Sequence, residues 1–335
     1  MAEPELAKLG HVALTTPDLD TSLWFLRDII GLEQVEEHDG TTFLRAWGDI
    51  EHHTLSVSRG DDAQIEHIAW RARRPEDLDA FAGRLQSNGA AIRWIEAEEE
   101  RGQGRALRFW TPAGHAFEIY HDIARPSSAG PQRPLIGRNP ELAKVHAGGI
   151  SPRRIDHVAV HTPSPSESLE WLRKVLGFRV RESVVRDDGT IAAVWLNVTA
   201  LSHDIAIVTE RAGRSGRFHH LAYHVDNSHD ILRAADSAIA NGITIDSGPG
   251  RHGVSTGVFL YLRDPGSGIR IELFSEGYLC FDQDWQPIEW RESEPQAWRW
   301  WGDEWTAAGS QAETLACAPQ TVDSTSEERR VGQVE

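Results

Sequence analysis

The chain of 335 residues contains an internal repeat, and this repeat limits the folds that it can adopt. The segment GHVALTTPDLDTSLWFLRDIIGLE (10–33) aligns without a gap to DHVAVHTPSPSESLEWLRKVLGFR (156–179). Further along, EHIAWRA (66–72) matches HHLAYHV (219–225). A chain that repeats itself over such lengths is expected to fold as two similar units, and its length suffices for two ordinary domains.

Each half predicts the order strand, helix and several strands, followed by the same order again. HVALTT alternates as a strand does, and a polar N-cap candidate, Asp20 or Ser166, precedes a segment with helical apolar spacing. Gly31 or Gly177 then ends the predicted helix. We therefore predict an α+β fold with two tandem domains, each a pair of βαβββ modules.

Composition suggests where these domains begin and end. We assign residues 1–125 to an N-terminal domain and 151–280 to a C-terminal domain, joined by a linker rich in Pro, Gly and Ser at 126–150. The Trp-rich segment 281–309 is interpreted as a lid over a pocket or as a clasp between domains or subunits. Residues 310–335 are polar and aperiodic, and we expect them to be disordered.

Charge and cysteine content narrow the possible partners. A formal charge of −17 without a Lys/Arg cluster argues against nucleic acid and anionic membranes, which leaves small molecules as the expected partners. The start, MAEPELAKLG, lacks the features of a signal peptide, and no apolar run is long enough to span a bilayer. A cytoplasmic location follows as the default. The two cysteines, Cys280 and Cys317, have no partner at metal-ligand spacing.

Metal-binding residue types recur at three matching places in the two halves. They are His11 and His157 in the first strand of each half, His67 and His220 in the strand that opens the second module, and Glu118 and Glu272 in the last strand. Two histidines and a carboxylate on neighbouring strands form the set that holds a non-haem Fe(II) on one face, and Mn(II) accepts the same ligands.

The strand FHHLAYHVD (218–226) offers three histidines, and the repeat selects one of them. His220 is the repeated residue, because Glu66 stands in the first half where His219 stands in the second. Alternation along a strand predicts that His220 and His224 share one face while His219 points to the other.

The stretch GPGRHGVSTGVFLYLRDPGSGIRIELF (248–274) resembles the signature of the type I extradiol ring-cleaving dioxygenases, of the vicinal-oxygen-chelate superfamily. The resemblance covers about residues 8–300, with one extra residue between Pro265 and Glu272 as a departure. It implies two domains of the glyoxalase/bleomycin-resistance type and cleavage of a catechol by O₂ beside its two hydroxyls. We also expect a homo-oligomer.

In this family the metal lies only in the C-terminal half, which implies His157, His220 and Glu272 as ligands. The family's acid/base positions map onto His203, His252 and Tyr261. In the first half His53 can match the first of these, but Arg108 stands where the tyrosine should be. The N-terminal domain is therefore expected to be metal-free, with the repeated residues of its cluster left over from duplication: His11, His67 and Glu118.

The substituent on the catechol is predicted from the arginines that relatives use to bind a carboxylated side chain. The matching places hold Ser247, Ala297 and Trp298 instead, which favours an apolar alkyl or aryl substituent. Arg291 and Arg299 leave open a carboxylated catechol such as 3,4-dihydroxyphenylacetate.

Three other functions compete with this interpretation. A glyoxalase-like isomerase commonly shares a metal with four ligands between modules, whereas here one half holds a complete set. An enzyme like 4-hydroxyphenylpyruvate dioxygenase should carry a C-terminal helix rich in Gly and Phe, which this sequence lacks. A metal-free binding protein has no use for the retained ligand set.

Overall fold

The structure is a computed structural model, and it describes residues 3–125, 148–282, 284–302, 305–306 and 313–320. Most of the predicted linker, 126–147, lies outside the described residues. Extended strands dominate the described part and a few short helices accompany them, so the α+β prediction is confirmed. In this part of the chain no helix has the length and apolar character of a membrane span.

The first half is a pair of βαβββ modules, as predicted. The first module comprises β1 (Leu6–Thr16), α1 (Leu19–Trp24) with a π-helical turn (Phe25–Ile29), β2 (Glu33–His38), β3 (Thr41–Arg45) and β4 (Leu55–Arg59). The second comprises β5 (Gln64–Ala72), α2 (Asp77–Ser87), β6 (Ile92–Ile95), β7 (Ala106–Trp110) and β8 (Ala116–Tyr120).

The second half repeats this order. Its first module comprises β9 (Arg154–Thr162), α3 (Pro165–Trp171) with a π-helical turn (Leu172–Leu176), β10 (Arg179–Val185), β11 (Ile191–Asn197) and β12 (Ile205–Thr209). Its second comprises β13 (Arg217–His224), α4 (Ser228–Ala240), β14 (Ile245–Arg251), β15 (Gly257–Arg263) and β16 (Arg270–Glu276). The C-terminal segment adds β17 (Ile288–Arg291), α5 (Pro295–Trp298), β18 (Trp301–Gly302) and β19 (Leu315–Cys317).

The helix boundaries follow the local sequence. Asp18 and Ser164 cap α1 and α3, since each side chain accepts a hydrogen bond from a backbone N–H of the first turn. The caps thus lie two residues before the predicted Asp20 and Ser166. Gly177 ends the helical segment of the second half with a φ of 78°, a conformation in which glycine carries little strain.

The sheet brings the repeated residues together. In the first half β5 lies between β1, its antiparallel neighbour, and β8, its parallel neighbour. In the second half β13 lies in the same way between β9 and β16. The three repeated positions of each half therefore come from three adjacent strands.

The C-terminal segment is built into the sheet. β17 pairs with β10, β18 pairs with β14, and β19 pairs with both β13 and β5, which joins the two halves. The predicted disorder is therefore wrong for residues 313–320. A strand of three residues is too short to show periodicity in the sequence, and the neighbouring strands supply its backbone partners. Residues 310–312 and 321–335 lie outside the described residues.

Candidate metal and catalytic site

Three buried side chains of the second half form a triangle of donor atoms. Nε2 of His157 lies 2.9 Å from Oε2 of Glu272 and 3.3 Å from Nε2 of His220, and the His220–Glu272 distance is 3.0 Å. Two ligands bonded at right angles to one ion at about 2.1 Å lie about 3 Å apart. The triangle thus has the spacing of three ligands on one face of an ion.

In both histidines of this triangle, the ring nitrogen outside the triangle, Nδ1, has a hydrogen-bond partner. Oδ1 of Asp156 lies 2.8 Å from Nδ1 of His157, and Nδ1 of His219 lies 2.6 Å from Nδ1 of His220. Hydrogen bonds of this kind orient a ligating imidazole and select its tautomer.

The electrostatics of the triangle favour a bound cation. Burial raises the pKa of Glu272, but His220 and His157 outweigh it and hold that pKa well below its usual range. Burial lowers the pKa of His157, but the charge of Glu272 and the hydrogen bonds that the ring donates to Asp156 and Glu272 raise it to about 9. Burial lowers the pKa of His220 to about 4. The carboxylate is therefore ionised, and a divalent ion would displace the proton of His157.

His252 and Tyr261 lie beside the triangle and contact each other. Nδ1 of His252 lies 2.6 Å from the carbonyl oxygen of Trp298, and its Nε2 lies 3.1 Å from the hydroxyl of Tyr261. A carbonyl only accepts, so Nδ1 donates to it, and the Tyr261 hydroxyl forms hydrogen bonds with both Nε2 of His252 and the carboxylate of Glu272. Burial and the nearby charge of Glu272 raise the pKa of Tyr261 well above its usual value, so its hydroxyl stays protonated.

His203 lies next to His157, and the centres of the two rings are 4.0 Å apart. It precedes β12 and is buried. Burial and the neighbouring His157 lower the pKa of His203 well below its usual value, so the ring is neutral near pH 7.

One cavity joins all six residues predicted from the sequence. Its walls include His157, His203, His220, His252, Tyr261 and Glu272. Apolar and aromatic side chains form much of the remainder, among them Ala159, Trp195, Ala206, Val208, Val254, Phe259, Phe274, Trp298 and Trp305. Ser247 and Arg299 also line it, whereas Arg291 pairs with Glu289 elsewhere.

The predicted orientation of the histidines on β13 is wrong. His219 lines the cavity together with His220, and His224 is not among the lining residues. A β-bulge is the cause. Phe218 pairs with Val160 and His220 pairs with Ala159, so β13 contains one extra residue, His219, between two positions that are adjacent in β9. A bulge interrupts the alternation of side chains.

Sequence reasoning also missed His161, which stacks on His219 with the ring centres 4.8 Å apart. Its signal was available, because His157, Ala159 and His161 alternate along β9 and all three line the cavity. For His219 the sequence gives no such signal, since the bulge depends on the pairing of two distant strands.

The repeated residues of the first half also lie close together, but in different surroundings. Nε of Arg108 donates to Oε2 of Glu118 at 2.9 Å, and Nε2 of Gln103 donates to Oε1 at 2.7 Å. Arg108 pairs with Glu118 across β7 and β8, as Tyr261 pairs with Glu272 across β15 and β16. The acid/base tyrosine thus has a guanidinium in its place.

The paired modules and the His-His-Glu triangle define the class of protein. Residues 154–273 match the model of the glyoxalase/bleomycin resistance protein/dioxygenase superfamily. Residues 65–123 match the model of the catechol 2,3-dioxygenase-like N-terminal domain. The molecule is therefore a two-domain enzyme of the vicinal-oxygen-chelate class.

Whole-chain comparisons identify the family within this class. The chain is 50% identical over 315 residues to the manganese-dependent 2,3-dihydroxybiphenyl 1,2-dioxygenase of Geobacillus genomosp. 3, covering 93% of this chain and 99% of that one. It is 33% identical to a metapyrocatechase of Geobacillus stearothermophilus, over 85% and 86% of the two chains. Homoprotocatechuate 2,3-dioxygenase from Arthrobacter globiformis superposes with a TM-score of 0.86 at 27% identity, over 96% and 97%. The chain belongs to the extradiol ring-cleaving dioxygenases.

Membership in this family confirms the resemblance read from the sequence. The chain is an oxidoreductase that cleaves a catechol ring with O₂. The same comparisons argue against the three competing functions considered from the sequence: a glyoxalase-like isomerase, an enzyme like 4-hydroxyphenylpyruvate dioxygenase and a metal-free binding protein.

Proposed function

We propose that His157, His220 and Glu272 hold a single Mn(II) or Fe(II) ion in a catalytic domain formed by residues 151–280. The triangle of donor atoms, 2.9 to 3.3 Å on a side, carries the proposal. Two imidazoles and one carboxylate suit both metals, and three ligands on one face leave the opposite positions open. The 50% identical relative is described as manganese-dependent, which adds weight to Mn(II).

When bound, the ion would supply Lewis acidity, which lowers the pKa of a catechol hydroxyl, and the electron-transfer capacity that O₂ chemistry requires. The protein supplies the proton handling. His252 accepts the hydroxyl proton of Tyr261 in a hydrogen bond, so this pair can take a proton from a substrate oxygen near Glu272 and hold it at Nε2. The carbonyl of Trp298 fixes the tautomer that makes Nε2 the acceptor.

His203 takes a separate role beside the ligand His157. Its ring lies in the cavity and is neutral near pH 7. One ring nitrogen can therefore accept a proton while the other donates one. His203 contacts His157, whereas the His252–Tyr261 pair contacts Glu272 and His220, so protons can move at two different places around the triangle.

The substrate is a catechol with an apolar substituent of the alkyl or aryl kind. Trp195, Val208 and Trp298 lie on the cavity wall, and Trp298 and Trp305 of the C-terminal segment cover the site as a lid would. Arg299 also lines the cavity and keeps a carboxylated catechol as the second candidate. The 2,3-dihydroxybiphenyl in the description of the 50% identical relative is of the apolar kind.

Reconstitution tests this function. Metal-depleted protein receives Mn(II) or Fe(II) without oxygen, and then O₂ with catechol, 4-methylcatechol, 2,3-dihydroxybiphenyl or 3,4-dihydroxyphenylacetate. We expect a yellow product, formed fastest from the biphenyl. Glu272→Gln should abolish it, while Glu276→Gln at the exposed end of the same strand should not. A colourless reaction with metal bound would refute the proposal.

Two further properties are part of the proposal. Exposed apolar side chains near the C-terminus, with Phe281 at 77% and Trp300 at 60%, support association of the chain into a homo-oligomer. Light scattering coupled to size-exclusion chromatography measures the mass directly. The cytoplasmic location stays a prediction of the sequence.

A further inference from the structure

We propose that Glu182 is a positioning residue, which from outside the cavity holds the two segments between which His252 donates to Trp298. Glu182 lies on β10, is 1% exposed and is not among the described residues that line the cavity. The inference rests on the proposed function, because it gives Glu182 the task of fixing the histidine ring that accepts a proton there.

Three hydrogen-bond donors from separate parts of the chain meet at the Glu182 carboxylate. The backbone N–H of Ser255 donates to Oε1 at 2.6 Å, and Nε1 of Trp290 donates to Oε2 at 2.7 Å. The hydroxyl of Tyr278 donates to Oε1 at 2.9 Å. Hydrogen bonds to a carboxylate are about twice as strong as those between neutral groups, so Glu182 connects these parts of the chain firmly.

The first of the two segments is the connection between β14 and β15, which carries His252 and Ser255. Ser255 and Thr256 both have a φ of 60°, a left-handed conformation that is strained in residues other than glycine. Such a conformation persists only where the surrounding structure holds it. The hydrogen bond from Ser255 to Glu182 is a contact that does so.

The second segment leads from β17 to α5 and carries both Trp290 and Trp298. Its strand β17 is the parallel neighbour of β10, on which Glu182 lies. The carbonyl of Trp298 accepts from Nδ1 of His252 at 2.6 Å. Glu182 therefore binds the segment that carries the donor of this hydrogen bond and also the segment that carries its acceptor.

The two segments also lie in direct backbone contact. A Cβ added to Gly253 would lie 2.1 Å from the carbonyl oxygen of Gln296 and 3.2 Å from Cα of Ala297, so a side chain there would overlap the backbone. This contact limits how closely the segments approach each other. Their hydrogen bonds to Glu182 keep them from separating.

Glu182→Gln should loosen this arrangement with almost no change in side-chain size. The amide has one oxygen and one NH₂ group, so it cannot accept hydrogen bonds on both sides, and Ser255 or Trp290 then faces a second donor. In crystals of the variant we expect Nδ1 of His252 to lie more than about 3.5 Å from the carbonyl oxygen of Trp298, beyond hydrogen-bond reach. A distance equal to that in crystals of the wild type would overturn the proposal.

Kinetics test whether Glu182 acts through His252. Glu182→Gln should lower kcat for 2,3-dihydroxybiphenyl about 10- to 100-fold with metal content unchanged, because small displacements of a catalytic group have effects of this size. His252→Phe keeps a ring that can stack on Phe259 but removes both nitrogens. In that background Glu182→Gln should change kcat less than about 2-fold, since changes that act through one group are not additive. Losses that multiply in the double variant would show a structural role and overturn the proposal.

Two controls separate this role from stability. Tyr278→Phe removes the donor that lies in neither segment and keeps the backbone hydrogen bond to Ser255, so kcat should stay near the wild-type value. Glu51→Gln removes a buried carboxylate of the first half that accepts from the Tyr120 hydroxyl at 2.7 Å, so it should lower the unfolding temperature but not kcat.

If Glu182→Gln does not fold, Trp290→Phe takes its place in both measurements, because it removes the donor of the second segment alone. A wild type that cleaves none of the catechols would refute the proposed function. The crystallographic distance between His252 and Trp298 does not depend on turnover and still decides whether Glu182 holds the two segments.

Discussion

The hydroxyl of Tyr261 lies 3.1 Å from Nε2 of His252, and the other nitrogen of that ring donates to the carbonyl of Trp298. A residue of the C-terminal segment thus fixes the tautomer of a histidine in the cavity. When the ring is neutral, Nε2 is therefore the atom that accepts a proton, and the Tyr261 hydroxyl can donate to it or to Glu272. Tyr261 can thus supply a proton, and His252 can accept one.

Tyr261→Phe should lower kcat about 100-fold or more, because general acid/base groups contribute on that scale. Metal content should not change, since the hydroxyl is not among the three proposed ligands. Steady-state kinetics with 2,3-dihydroxybiphenyl and metal analysis of the same sample check both points.

The control for this variant is Tyr278→Phe. The hydroxyl of Tyr278 donates to Glu182 at 2.9 Å, and the residue is not among those that line the cavity. We expect kcat to stay near the wild-type value. Equal losses in the two variants would show that the effect of Tyr261 is structural.

His219→Ala should weaken metal binding about 10- to 100-fold, because Nδ1 of His219 supports the ligand His220 from behind. His220→Ala, by contrast, should remove the metal altogether. Titration of metal-depleted protein with Mn(II) measures both affinities. His224→Ala on the same strand is the control, and a Kd as weak as that of His219→Ala would contradict the assigned role.

The sequence predicts the modules and the three proposed ligands because the repeat marks them, and it predicts His203, His252 and Tyr261 because they match the acid/base positions of the family that the sequence resembles. It does not predict residues whose placement depends on pairing between distant strands. His219 reaches the cavity through the bulge opposite β9. Glu100 reaches His11, His67 and Glu118 from the connection between β6 and β7, a part of the chain in which the two halves do not match in sequence. β19 is too short for a periodic signal and is formed only by pairing with β13 and β5.

Trp298→Ala should reduce kcat/KM for 2,3-dihydroxybiphenyl about 10-fold while changing that for unsubstituted catechol little. The reason is that a smaller side chain removes apolar contact with the substituent, which is worth about 1–3 kcal/mol. The backbone carbonyl that binds His252 remains. Trp300→Ala, at an exposed position, is the matched control. Equal losses for both substrates would show that Trp298 does not select the substituent.

Arg299→Gln tests the alternative substrate class. If Arg299 pairs with a carboxylated side chain, kcat/KM for 3,4-dihydroxyphenylacetate should fall while that for 2,3-dihydroxybiphenyl is retained. With the apolar preference proposed here, we expect the wild type to favour the biphenyl, and Arg299→Gln to preserve that order. A wild type that favours the acid would contradict the proposed substituent.

His115 connects the two halves through backbone carbonyls. Its Nε2 lies 3.1 Å from the carbonyl of His161 and 3.3 Å from that of Arg217, and the ring is buried. Burial lowers the pKa of His115 to about 4. The unfolded chain therefore binds a proton at this residue between pH 6.5 and about 4, whereas the folded chain does not.

Stability from this residue is thus fully present above pH 6.5 and is lost as the pH falls toward 4, by about 3 kcal/mol. His115→Gln keeps an N–H donor but does not titrate. Its free energy of unfolding should therefore fall by about 3 kcal/mol less than that of the wild type as the pH falls from 6.5 toward 4. Urea unfolding at intervals from pH 7 to pH 4.5 measures both slopes. His229→Gln, at an exposed position on α4, should follow the wild type. If the curve for His115→Gln runs parallel to that of the wild type, His115 does not contribute to the acid sensitivity of the fold.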